Sequence, residues 1–285
     1  MTPATDARPR PVDHYENFPV ASWLCPPRLR QPVAAIYWFA RTADDLADEG
    51  DAPAARRLDD LETYGNDLQA CLRGERDSGR WPSVFTPLRG AIDAFALPGE
   101  PLARLLDAFE QDVRKTAAGA GYADRAELLA YCSRSADPVG RLLLHLYGVH
   151  DAPALACSDA ICSALQLVNF WQDVSVDVPR GRYYLPADDC RRFGIDPQAP
   201  GTWATHPRAP ELVQALCHWA RELMLAGAPL VHRVPGRAGW ELRLVVQGGL
   251  RTLHRIERTG FRTMQQRPKL GARDLPPMLW QAARM

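Results

Sequence analysis

Ordered cysteine spacing is missing from this chain. Its seven cysteines (Cys25, Cys71, Cys132, Cys157, Cys162, Cys190 and Cys217) are scattered, odd in number and never arranged as CxxC. That argues against a disulfide framework or a zinc site and for a reducing compartment. Excess charge of one sign is missing too: 34 basic and 34 acidic residues cancel, so no global field favours nucleic acid or an anionic membrane. The start, MTPATDARPRPVDHY, has no apolar stretch of the kind a signal peptide needs. No run approaches the ~20 apolar residues of a spanning helix. A cytoplasmic protein is expected, with peripheral membrane contact left open. Strand-like alternation is nearly absent, and the GAG at 119–121 lacks the third glycine and preceding strand of a dinucleotide fingerprint. The histidines form no spacing readable as a ligand set.

What remains is helical periodicity. Residues 1–13, rich in Pro and Arg, read as a disordered tail, and 14–285 as one all-α domain. A short helix at 18–24 is expected to stop at Pro26-Pro27. Longer ones are predicted over 31–49, 54–73, 84–95, 101–116 and from Asp124, where Glu127 completes a capping-box pattern, to Tyr131. Pro138 and Gly140 predict a kink before a helix over 142–147. Further helices are predicted from about Ser158 to the end of the second acidic stretch, near Asp188, and over 210–232 and 239–258.

Two stretches carry chemistry. In LQLVNFWQDVSVDVPRGRYY (165–184), Gln166, Asn169, Asp173 and Asp177 fall at offsets of three, four and four. At about 100° per residue they lie within about 60° of one another on a helix. Leu165, Leu167, Val168, Phe170, Trp171 and Val174 surround that stripe, so the helix should be buried. Two buried carboxylates are strongly disfavoured without a neutralising cation. The second stretch is DDLADE (44–49): Asp44 and Asp48 share a helix face, Asp45 flanks them, and Tyr37 and Arg41 point the same way. Here an exposed acidic helix end, with Arg41 as an ordinary ion pair, is an equally good explanation. All donors are oxygens, which suits a hard cation such as Mg²⁺ completed by substrate phosphates. Arg41, Arg180 and Arg182 could bind a diphosphate, with plain neutralisation or solvent exposure the better reading of Arg180. Asp188-Asp189 and Asp59-Asp60 read as solvated charge.

These motifs resemble those of the head-to-head trans-isoprenyl diphosphate synthases, the family of squalene, dehydrosqualene and phytoene synthases. The resemblance rests on IYWFAR with DDLAD (36–48), on YCSRSADPVG (131–140), on Asp112 in LLDAFEQD, and on QLVNFWQDVSVD followed by GRYYLP (166–186). It covers roughly residues 14–270. HYENFPVASWLCP (14–26), DPVGRLLLHLYG and VVQGGLRTLHRIE resemble the hydroxysqualene synthase branch. The chain departs at Asn17-Phe18, where relatives often have Ser-Phe, and at Gly248-Gly249-Leu250, where many carry Tyr.

Family membership implies an isoprenoid-synthase helical bundle with a central cavity. It also implies Mg²⁺ held by Asp44, Asp45, Asp48, Asn169, Asp173 and Asp177, with substrate contacts from Arg41, Asp112, Gln166, Asn169 and Arg182. The branch implies ionisation of presqualene diphosphate and water capture, giving hydroxysqualene and diphosphate in squalene and hopanoid biosynthesis. Tyr37 and Tyr131 are candidates to face a carbocation, and Tyr131 or Tyr184 to place the water. Phe170 and Trp171 are packing residues first. The alternatives are a head-to-head prenyltransferase making presqualene diphosphate, dehydrosqualene or phytoene, and, remotely, a non-enzymatic helical assembly factor.

Overall fold

The computed structural model describes residues 24–285, so the expected tail, the helix at 18–24, Asn17-Phe18 and nearly all of the 14–26 motif lie outside the described residues. Among the described residues there are eleven α-helices and no strand. They are α1 (Pro27–Asp48), α2 (Ala54–Arg73), α3 (Pro82–Phe95), α4 (Gly99–Ala118), α5 (Arg125–Ser135), α6 (Asp137–Leu146), α7 (Ala152–Asp177), α8 (Ala187–Arg192), α9 (Ala209–Gly227), α10 (Gly236–Arg258) and α11 (Leu275–Ala283).

α7 is the axis of the molecule. It packs most extensively on α9 and also touches α5, α6 and α10. Leu167, Val168, Phe170, Trp171 and Val174 are all buried in one core with residues of α5 and α9, as a helix apolar on most faces demands. Truncating Phe170 or Trp171 to Ala would cost roughly 3–5 kcal/mol. By length and composition alone, the segment from Ala152 to Arg180 could cross a membrane, but half of that window is buried inside the protein, so it is a core helix. A second core joins α1 to α2, α3 and α4, with Leu142 and Leu146 of α6 reaching into it.

Local chemistry sets the ends. α7 begins at Ala152, earlier than expected, because the Asp151 side chain accepts from the Ala154 N–H and caps it. It ends in a turn closed by Gly181, whose φ of 75° suits glycine and sends the chain back towards α1. The helix expected over 31–49 begins earlier, at Pro27, and the 18–24 helix expected to stop at Pro26-Pro27 lies outside the described residues. Pro27 takes the first helical position, where its missing N–H is no loss. The expected kink near Pro138 falls at Ala136 (φ −126°), which separates α5 from α6. Gly140 serves close packing instead: a Cβ there would stand 2.4 Å from Ser158 Oγ and 2.6 Å from Cys162 Sγ of α7. At α5, Asp124 caps the Glu127 N–H as expected, but the Glu127 carboxylate accepts from Ala123.

Candidate active site

The last turns of α1 present Asp44, Asp45 and Asp48. Arg41, one turn back, reaches Asp44 (3.2 Å), Asp45 (2.7 Å) and Glu49 (3.0 Å). Burial pushes the Asp44 carboxyl above its usual range, opposed by Arg41 and reinforced by Asp45. Asp48 is paired with Arg182, which returns from the Gly181 turn, so the Gly-Arg-Tyr-Tyr segment closes one end of the site. Tyr37 is half-buried on the same helix, edge-on to the ring of Trp38.

Asp173 and Asp177 lie one turn apart near the end of α7. Arg267, from the segment after α10, grips Asp173 with two nitrogens. The same segment accepts from Gln172 at the Pro268 carbonyl (2.6 Å). Burial, and then the neighbouring Asp173 charge, pushes Asp177 up to about 7. Repulsion between carboxylates one helical turn apart is expected and needs a cation to relieve it.

Asp112, on α4, connects the two acidic helices. Tyr131 donates a short hydrogen bond to it and Tyr184 a longer one of 3.5 Å. Burial lifts the Asp112 carboxyl to about 7; the tyrosine hydrogen bonds oppose the rise, and the charges of Asp44 and Asp177 add to it. Tyr184 lies flat on Phe170, with ring centroids 3.8 Å apart at 9°. Tyr131 and Tyr122 complete that aromatic cluster. Phe170 therefore packs as expected, while backing a tyrosine that faces the acidic group.

Two cavities meet these elements. A polar cleft of about 730 Å³ is lined by Asp44, Asp48, Asp112, Arg180, Arg182 and Tyr184, among others. An apolar cavity of about 240 Å³ lies between α6, α7 and α10, lined by Leu143, Leu144, Ile161, Leu165, Leu242 and Val245, with Gln166 at its wall. Gln166 thus faces the apolar space, and none of Gln166, Asn169, Asp173 and Asp177 is among the residues lining the cleft. The twelve residues from Gln166 to Asp177 span about 16 Å of helix, so α7 leads from the apolar cavity to the turn whose Arg180 and Arg182 edge the cleft.

Among the described residues no group of three or more His, Cys, Asp or Glu side chains is arranged to hold a metal ion. The donor set nevertheless fits a hard divalent cation. Its donors are carboxylate oxygens, and burial and mutual repulsion hold Asp44, Asp112 and Asp177 above their ordinary titration range. Arginines now neutralise the other members, Arg182 at Asp48 and Arg267 at Asp173.

Sequence reasoning missed Arg267. Its partner is 94 residues away, and no local spacing announces such a pair. It also misread Asp189: only Asp188 is solvated. Asp189 is buried and takes two hydrogen bonds from Arg125, 2.9 and 2.8 Å, across 64 residues. A charge that far from water needs such a partner. Of the other acidic pair, Asp59 is exposed, and Asp60 pairs with Arg56 and Arg80.

The squalene/phytoene synthase family profile matches residues 12–274. The chain is 34% identical over 247 residues to a hydroxysqualene synthase of Rhodopseudomonas palustris, covering 86% of this chain and 80% of that one. It is 28% identical over 282 residues to a presqualene diphosphate synthase of the same organism, covering 97% and 98%. Its fold superposes on the crystal structure of squalene synthase HpnC from Alicyclobacillus acidocaldarius with a TM-score of 0.77 and 34% identity, over 87% of this chain and 90% of that one. The chain belongs to the squalene/phytoene synthase family.

Proposed function

We propose that this isoprenoid-diphosphate-processing enzyme ionises presqualene diphosphate and lets water capture the rearranged cation, giving hydroxysqualene and diphosphate in squalene and hopanoid biosynthesis. Residues 14–285 act as one isoprenoid-synthase domain. The observation that carries this reading is that α7 lines the apolar cavity with Ile161, Leu165 and Gln166, while Arg180, Arg182 and Tyr184, just past its end, edge the polar cleft with Asp44, Asp48 and Asp112. A substrate with a diphosphate head and a hydrocarbon body requires both. The hydroxysqualene synthase relatives point to the same substrate class.

Asp44, Asp45, Asp48, Asn169, Asp173 and Asp177 are the residues that would hold Mg²⁺. When bound, it supplies Lewis-acid stabilisation of the departing diphosphate. Arg41 and Arg182, once released from their carboxylates, bind diphosphate oxygens with charge-assisted hydrogen bonds. The C–O bond breaks with its electron pair leaving on the diphosphate. Tyr37 and Tyr131 are the rings that would face the cation. The water that adds to the cation gives its proton to the released diphosphate as the alcohol forms, and the hydroxyls of Tyr131 and Tyr184, both directed at Asp112, position it. With so apolar a substrate, a cytoplasmic enzyme in peripheral contact with a membrane or with pathway enzymes fits the same reading.

A second reading, head-to-head prenyl transfer, is favoured by one observation: the presqualene diphosphate synthase matches nearly end to end. Incubation with Mg²⁺ and either presqualene diphosphate or farnesyl diphosphate alone, followed by product analysis, separates the two. An alcohol from presqualene diphosphate supports the first. Any prenyl product from farnesyl diphosphate alone sinks it.

A further inference from the structure

The last helix, α11, breaks the rule for surface helices. α11, sequence LPPMLWQAA, contains no charged side chain. Its inner side packs on α10: Met278 approaches Gly248, Met285 meets Gln247, and Ala282 is buried. Its outer side should then be polar, yet Leu275 is 55% exposed, Leu279 55% and Trp280 65%. At about 100° per residue, Leu275 and Leu279 form one ridge and Pro276 and Trp280 the next. Leu270, just before the helix, is exposed as well.

The charge around this ridge is one-sided although the whole chain is neutral. From 259 to 285 the basic residues are Arg262, Arg267, Lys269, Arg273 and Arg284, and the only acidic one is Asp274. Asp274 is buried between Arg251 and Arg255 and offers nothing outward. Arg262, Lys269, Arg273 and Arg284 are exposed, and Arg284 lies over the Trp280 ring at 5.6 Å. Exposed leucines beside an amphipathic tryptophan, flanked along the chain by exposed cations with Arg284 over the tryptophan ring, match the boundary between acyl chains and anionic headgroups. A soluble protein partner would be met by a polar rim of mixed sign.

We propose that the outer face of α11, with Lys269, Arg273 and Arg284 at its edge, docks the protein on the surface of a bilayer containing anionic lipid. This names a surface for the peripheral contact proposed above, but it stands on α11 itself and not on the identity of the substrate. α11 also packs along α10, the helix that lines the apolar cavity with Leu242 and Val245, so the docked face and the hydrocarbon site share one element.

Flotation of the full-length protein with vesicles tests it, using phosphatidylcholine alone or mixed equally with phosphatidylglycerol. Binding is expected on the mixed vesicles, weakened by salt. Replacing Leu275, Leu279 and Trp280 together with Ser should reduce partitioning at least about tenfold. Lys269→Glu with Arg273→Glu should reduce it similarly, at roughly fivefold per charge. The melting midpoint should stay unchanged, since all these side chains point outward. Failure to bind the mixed vesicles, or binding indifferent to both sets of substitutions, overturns the proposal. So does a dimer seen by light scattering that the Ser variant dissociates, which assigns the face to a second copy. Binding that appears only after residues 1–23 are removed assigns the face to the chain's own start and overturns the proposal equally. Product analysis with purified substrate is independent of all these outcomes.

Discussion

On α1 Asp44 and Asp45 are met by an arginine of the same helix, whereas on α7 Asp173 is met by Arg267 from 94 residues away. The difference extends to solvent. Arg41, Asp44 and Asp45 keep about 35–43% of their side-chain surface exposed, while Asp173 keeps 13% and Arg267 30%. Releasing Asp44 and Asp45 needs only rotation of the Arg41 side chain. Releasing Asp173 moves a segment that Gln172 also holds at Pro268 and Gln265 at Ala204. Both clusters satisfy the demand that buried or repelled carboxylates be neutralised. One does so reversibly, the other by tying down the chain that leads to α11.

The sharpest way to break this comparison is to remove a carboxylate from each side. Asp44→Asn and Asp173→Asn should each lower diphosphate release by on the order of 10³-fold or more, because charge stabilisation in the transition state is lost. Circular dichroism should show a folded protein in both cases. If either purified variant turned over at a near-normal rate, the two helices would not act together.

The same contrast explains what the sequence made legible. α1 and α7 could be read because helical periodicity is local: Arg41 and Asp44 are three residues apart, and Gln166 to Asp177 is one continuous stripe. The substrate class needed the family resemblance, since spacing alone implies only a cation and a phosphate. Arg267 and the burial of Asp189 could not be read, because each depends on a partner more than sixty residues away. α11 was missed for a different reason. LPPMLWQAA begins with two prolines in its first turn and has no polar face, so no amphipathic period marks it. The early start of α1 at Pro27 was missed too, because a proline at the first helical position fits a helix start without showing in the apolar period.

Arg267→Gln probes the tied-down side directly. It leaves a largely enclosed carboxylate without its guanidinium and should destabilise the metal-free protein by about 1–3 kcal/mol, measured by urea unfolding. By the same logic Asp173, relieved of competition from Arg267, should bind divalent cation more tightly, and calorimetric titration of metal-free protein with Mg²⁺ should show the affinity rising several-fold. Unchanged affinity would mean that Arg267 does not compete for the site.

Asp112 lies between the two sides and should report on both through pH. A carboxyl raised to about 7 when folded, against about 4 when unfolded, binds more protons in the folded state over that interval. Its contribution to stability is therefore lost as pH rises from about 4 to about 7. Asp177, also near 7, adds to the same slope. In chelator-treated protein, Asp112→Asn should flatten the fall in melting midpoint across this window by about 2–4 °C. Added Mg²⁺ should oppose the fall in the parent protein. An identical slope in parent and variant would show that Asp112 ionises normally.

Arg41→Gln should have the smallest effect on stability. Its ion pairs are half-solvated and made within one helix, so their loss is expected to cost less than about 1 kcal/mol, against the larger penalty for Arg267→Gln in the same urea titration. Catalysis should separate from stability here. If Arg41 leaves its carboxylates to bind diphosphate, the variant keeps its fold and loses turnover. Equal destabilisation by the two arginine variants would erase the distinction between a neutraliser rooted beside its aspartates and one delivered by a distant segment of the chain.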